Sequence, residues 1–212
     1  MNINKKQIED IHDTICIKYN IVKGYLNVGN IVSIIDELDG SFSGMKFYND
    51  NFDKAAALFE GIIRKHPFID GNKRTALATL QEFLLSNDIL FLMPTGAIKF
   101  AIVVSGLYNS SESEIIKTKQ NIKRWIEENS VKVNESGWTN SLDKILNREI
   151  ETAEKIQKIA RHRSDDKIIP NYTGMYLYSN SKSNLNSYQI IDFLKERHKR
   201  IDQFLKNRMK KS

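Results

Sequence analysis

Little in this chain would staple or kink it. A single cysteine, Cys16, excludes an intramolecular disulfide framework and fits a reducing compartment. Three prolines and ten glycines in 212 residues leave long stretches without helix breakers, which suits long helices. No apolar run approaches the roughly 20 residues a membrane helix needs. None follows Met1-Asn2-Ile3-Asn4-Lys5-Lys6 to form a secretory leader, so a cytoplasmic protein with no membrane partner is expected. No internal repeat is evident. The net charge of +6 favours acidic partners, ATP or nucleic acid, without selecting among them. A hydrophobic content of 41% suffices for a packed core in one ordinary domain plus an extension.

The chemistry is concentrated in His66-Pro67-Phe68-Ile69-Asp70-Gly71-Asn72-Lys73-Arg74-Thr75, set between two runs that read as buried helices, Ala55–Lys65 and Thr75–Asn87. Each residue type has a job if the ligand is a nucleotide phosphate. Backbone N–H groups at a helix N-terminus lack intrahelical partners and form an anion site. Gly71 lets the backbone approach the phosphate and adopt positive φ. Asn72 adds an amide. Lys73 and Arg74 add point-charge and forked recognition of phosphate oxygens. Asp70 suits Mg²⁺, which binds through one or two carboxylates plus substrate phosphates. His66 suits a base that takes the proton of an attacking hydroxyl.

These residues resemble the signature loop of the Fic/Doc family, His-Pro-Phe-x-(Asp/Glu)-Gly-Asn-(Gly/Lys)-Arg. Ala55-Ala56-Ala57-Leu58-Phe59-Glu60-Gly61-Ile62-Ile63, Ala76-Leu77-Ala78-Thr79-Leu80 and the upstream Gly40-Ser41-Phe42-Ser43-Gly44 are similar to that family's flanking segments. The resemblance spans roughly residues 1–129. It implies an all-α, Fic/Doc-like helical bundle with a small β-hairpin flap. Lys73 stands where nucleotidyl-transferring members have a second glycine, and Leu77 where they have a second arginine. Both match the Doc (death-on-curing) branch, whose kinase-like members present the γ-phosphate of ATP rather than AMP to the acceptor. The implied roles are His66 as base, Asp70 for Mg²⁺, and Gly71, Asn72, Lys73 and Arg74 for ATP. Ser41, Phe42, Ser43 and Gly44 would form the target-docking flap. The implied target is a protein hydroxyl, with elongation factor Tu as the family's example.

Taken in order, Asn4 caps a helix to about Tyr19 with Ile8, Ile11, Ile15 and Tyr19 on one face. His12 reads as a partly buried packing or surface histidine, and Cys16 as a small core residue. Gly24–Gly29 is a loop and Asn30–Leu38 a short helix. Ser41–Tyr48 alternates like a hairpin. Phe52–Lys65 and Asn72–Asn87 flank the motif. Ala97–Tyr108 is strongly apolar, and because its periodicity does not separate helix from strand, the resemblance is what implies a buried helix there. Ser111-Glu112-Ser113-Glu114 is a capping box opening a helix to about Glu128. Val131–Gly137 reads as a polar linker. A long amphipathic helix to about Arg161 follows, with Leu142, Ile145, Leu146, Ile150 and Ile156 as its stripe. Arg163–Ser187 is a polar loop, and Tyr188–Lys206 a final helix before a basic tail. The domain division is thus 1–129, catalytic, and 130–212, a helical extension of unassigned role.

Three functions compete. The first is a Doc-like toxin enzyme that uses ATP and Mg²⁺ to phosphorylate a translation factor. The second is a Fic-type adenylyltransferase (AMPylation), against which Lys73 and Leu77 argue. The third is a non-catalytic binding or regulatory module, against which the intact His66 and Asp70 argue. The family's inhibitory motif, Ser/Thr-x-x-x-Glu-(Gly/Asn), has no match: Glu60-Gly61 is preceded by Ala56 and Glu128-Asn129 by Arg124. The resemblance therefore implies a separate antitoxin, and nucleic acid is not an expected partner.

Overall fold

The computed structural model describes residues 3–42, 45–94, 96–107, 112–133, 140–145 and 147–151, with positions 195, 196, 199 and 203. They fall into two compact units, Met1–Met93 with Ala97–Lys132, and Pro94–Gly96 with Val133–Ser212. The first runs α1 (Lys5–Tyr19), α2 (Gly29–Leu38), β1 (Ser41–Phe42), β2 (Met45–Lys46), α3 (Asn51–Lys65), α4 (Asn72–Leu85), β3 (Ile89–Phe91), α5 (Ala97–Gly106), α6 (Glu112–Glu128) and β4 (Ser130–Lys132). This is the expected all-α, Fic/Doc-like bundle, with two antiparallel strand pairs among the described residues, β1–β2 and β3–β4. In the second unit, residues 140–145 and 147–151 are helical, and Leu142 and Ile145 of the expected stripe are buried. The expected loop over Arg163–Ser187 and almost all of the final helix lie outside the described residues.

The helices start where short polar side chains can accept from first-turn amides. Asn4 accepts from Gln7 N–H while Gln7 reaches back to Asn4 N–H, a complete capping box on α1. Asp50 caps α3 through Asp53 N–H. The expected box at Ser111-Glu112-Ser113-Glu114 lies outside the residues whose side chains are described.

The core is built on α3, buried continuously from Ala55 to Ile63, with α4 beside it. Gly61 permits a close approach of α2, since a Cβ there would lie 3.1 Å from Ile34 Cγ1. Two residues earlier in α3, Phe59 meets Trp125 (5.8 Å between ring centroids) and Phe100 (6.3 Å). Trp125 in turn stacks on Phe100 at 4.3 Å and meets Phe91 edge-on at 5.2 Å. One aromatic cluster thereby joins α3, α5, α6 and β3.

One segment differs from the sequence-based expectation. The stretch read as a linker from Val131 begins with β4, whose Val131 pairs with Leu90 of β3. Val131 and Val133 are buried, and Leu92 N–H donates to Asn129 O at 2.8 Å. A three-residue strand is too short to show a period, and only the returning partner reveals it.

Phe59→Ala should cost about 3–5 kcal/mol, because it leaves a cavity where a fully buried ring joined three elements. Urea unfolding followed by circular dichroism checks this.

Candidate functional site

The site begins where α3 stops. His66 takes the left-handed conformation (φ 47°, ψ 58°) as the C-cap of α3, turning the chain sharply and leaving the residue exposed. Such a backbone is uncommon for a residue with a Cβ and persists only where its surroundings hold it. They do. Asn30 of α2 donates to Lys65 O at 2.5 Å, and Lys65 Nζ binds Glu37 at 2.6 Å and Ser33 Oγ at 2.8 Å.

The loop then folds around Phe68. Its ring is fully buried. Its peptide is held by Asn72, whose Oδ1 accepts from Phe68 N–H at 3.0 Å and whose Nδ2 donates to Phe68 O at 2.7 Å. On the far side the loop pairs with the segment after α1. Leu26 N–H donates to Pro67 O (2.8 Å), Ile69 N–H donates to Gly24 O (3.0 Å), and Tyr25 and Phe68 form an antiparallel bridge. Gly71 ends the loop at φ +77°, where a Cβ would also sit 2.6 Å from Ile21 Cδ1, so only glycine fits.

Asn72 is therefore a correction to the sequence reading. Its amide, expected at the phosphate, is nearly fully buried and committed to Phe68, so what it offers an anion is its backbone N–H. Gly71 provides no side-chain cap to α4, so the first-turn amides of Asn72, Lys73 and Arg74 form the anion-attracting end of that helix. Lys73 is half-buried on this turn. Arg74 lies with its guanidinium 4.8 Å from the Tyr19 ring centroid, a cation–π contact that braces it against α1. Asp70 is exposed, one carboxylate oxygen accepting from Gly71 N–H at 2.5 Å. Among the described residues no cluster of three or more His, Cys, Asp or Glu side chains surrounds it. A lone, exposed carboxylate fits Mg²⁺ held largely by substrate phosphates, not a cage supplied by protein alone.

Of the flap residues, Ser41 and Phe42 form β1, paired with Met45 and Lys46 of β2, while Ser43 and Gly44 lie outside the described residues. Among the described residues no third strand pairs with this hairpin. Met45 and Phe47 are exposed beside it.

His12 corrects the sequence reading more sharply. It is neither at the surface nor partly buried but fully enclosed. Its ring stacks on Phe68 with centroids 3.7 Å apart and planes 11° from parallel. Nδ1 lies 3.1 Å from Thr75 Oγ1 of α4, and Nε2 3.2 Å from Cys16 Sγ. Burial is the largest influence and lowers its pKa; Asp13 opposes it, and the weaker effects of Lys23, lowering, and Asp70, raising, follow. The spacing Ile8–His12–Cys16 carried the signal: at i, i+4 it defines the buried stripe of α1, with Ile11 and Ile15 half-buried at its margins.

The sequence model described as the Fic/DOC family matches residues 2–84, the stretch that holds α1 to α4 and the loop. The curated "Toxin Doc" of Mycolicibacterium smegmatis is 46% identical over 46 residues, 22% of this chain and 35% of that protein. The match therefore spans about a third of that relative. No helix among the described residues is long and apolar enough to cross a membrane.

Two outcomes follow for stability. Asn72→Ala strands the Phe68 peptide without partners and should cost about 2–4 kcal/mol, measurable by denaturant unfolding. The unfolded chain protonates His12 first, because its folded pKa lies below the ordinary 6.5. The stability contributed by neutral His12 is therefore complete above about pH 6.5 and is lost as pH falls toward the lowered folded value. Unfolding free energies measured at a series of pH values should show this loss in the wild type, and a flatter profile in His12→Phe.

Proposed function

We propose that this chain, whose residues 2–84 match the Fic/DOC family model, is a Doc-like toxin enzyme that transfers the γ-phosphate of ATP to a hydroxyl of a target protein. The observation that carries the reading is the loop itself. It joins an exposed histidine, an exposed carboxylate and a helix N-terminus without a side-chain cap, bearing Lys73 and Arg74, within one hydrogen-bonded turn. Phosphoryl transfer asks a protein mainly for positioning and for charge stabilisation at the phosphate oxygens.

In this reading the acceptor oxygen bonds to the γ-phosphorus as the bond to the β–γ bridging oxygen breaks, ADP leaves, and His66 takes the hydroxyl proton. Asp70 would hold Mg²⁺, which would supply charge neutralisation at the phosphates. The amides of Asn72 and Lys73 and the side chains of Lys73 and Arg74 bind the triphosphate. Lys73, in place of a small residue, and Leu77, in place of a second arginine, favour presentation of the γ-phosphate over AMP.

The β1–β2 hairpin docks an extended segment of the target by strand addition. A translation factor, elongation factor Tu in particular, is the proposed target. A separate antitoxin is the proposed regulator, in keeping with the toxin name of the relative. A cytoplasmic location accords with a nucleotide substrate and one buried, free thiol.

Intact mass of elongation factor Tu after incubation with the protein, ATP and Mg²⁺ should rise by one phosphate (about 80 Da), and not with His66→Ala. A gain of one AMP would replace this reading with adenylyl transfer.

A further inference from the structure

His12 belongs to α1, Phe68 to the signature loop and Thr75 to α4, and the imidazole touches all three elements at once. Its face covers the Phe68 ring. Its Nδ1 edge meets Thr75 across 63 residues of sequence. Its Cε1 lies 3.6 Å from where a Cβ on Gly71 would stand, so the ring also walls the last residue of the loop. Thr75 N–H closes the first turn of α4 on Gly71 O at 2.8 Å, placing the Thr75 hydroxyl directly behind the anion-attracting amides. A buried polar ring costs free energy unless its nitrogens are partnered, and here both are. Phenylalanine would fill the same space without a polar group to satisfy. Either neutral tautomer serves, since a hydroxyl and a thiol can each donate or accept.

We infer that His12 is a positioning residue: through Thr75 and Phe68 it fixes the signature loop against the N-terminal turn of α4, setting where His66 and Asp70 stand relative to the phosphate-binding amides. Its effect on transfer rests on the function proposed above, while its effect on loop order does not. Misplacement of reacting groups by about 1 Å, caused from outside the chemistry, is enough to cost about a hundredfold in rate.

The test compares the full-length wild type with His12→Phe, which keeps the stacked ring, His12→Asn, which keeps a polar group near the Nδ1 position, and Thr75→Val, which removes the partner hydroxyl. Hydrogen-exchange mass spectrometry should show amides in 67–76 exchanging at least about tenfold faster in His12→Phe and Thr75→Val, with α3 and α6 changed by less than about twofold. His12→Asn should recover part of that protection. Wild-type protection of 67–76 in both variants, a loss spread evenly over α3 and α6, or no recovery in His12→Asn would overturn the inference.

On the transfer reaction, His12→Phe should lower kcat by about 10–100-fold and leave KM for ATP within about threefold. An unchanged kcat alongside a loosened loop would also overturn the positioning role. If the wild type transfers neither phosphate nor AMP, the proposed function fails, and the exchange data alone decide whether His12 orders the loop.

Discussion

The two hydrogen bonds between the Asn72 side chain and the Phe68 peptide, one accepted and one donated by Asn72, are what the rest of the site depends on. They close the loop on the helix that follows it, so the residues between them, Ile69 to Gly71, have little freedom left. The Phe68 ring is then pinned by His12 on one face and approached by Tyr25, whose ring centroid is 5.6 Å away. The flanking peptides of Pro67 and Ile69 hydrogen-bond the segment after α1. A loop with its middle residue held by side chain, ring and backbone behaves as an extension of the core.

That rigidity accounts for two features that would otherwise destabilise the fold. His66 occupies a left-handed backbone at a cost of about 1 kcal/mol or more. Polar His12, Asn72 and Thr75 are removed from water. Apolar burial along α3, interrupted only by Glu60 between Ala55 and Ile63, with Leu77, Leu80, Phe83 and Leu84 of α4 also in the core, supplies the stability that offsets both. What is gained is a fixed relation between an exposed imidazole, a carboxylate and a helix N-terminus. Transfer of a phosphoryl group draws its acceleration from such fixed charges more than from covalent chemistry.

Most of the frame was legible in the sequence, because long helices write their period over many residues. The α3 and α4 stripes and the cap at Asn4 follow from local rules, while Ser41–Tyr48 reads locally as a hairpin or an ordinary loop and the family resemblance favours the hairpin. The motif named His66, Asp70, Lys73 and Arg74 by residue type. It did not reveal what Asn72 does, since an amide serves a phosphate or a peptide equally well and only the fold shows the Phe68 backbone within reach. His12 was misread because Ile11 and Ile15 outweigh it in hydrophobicity, although Ile8, His12 and Cys16 share the face that points inward. The β3–β4 pair and the bridge of Tyr25 to Phe68 join residues about 40 apart, and no local pattern carries such pairings.

The most direct measurement is a titration of the ¹⁵N-labelled protein with Mg²⁺ and a non-hydrolysable ATP analogue, followed by amide chemical shifts. The account predicts saturable shifts centred on the amides of Gly71 to Arg74, weakened in Asp70→Ala, with Phe68 little moved because its peptide is already held. Saturable binding whose shifts map elsewhere, or no binding at millimolar ligand, would contradict the assignment of this loop as a triphosphate site.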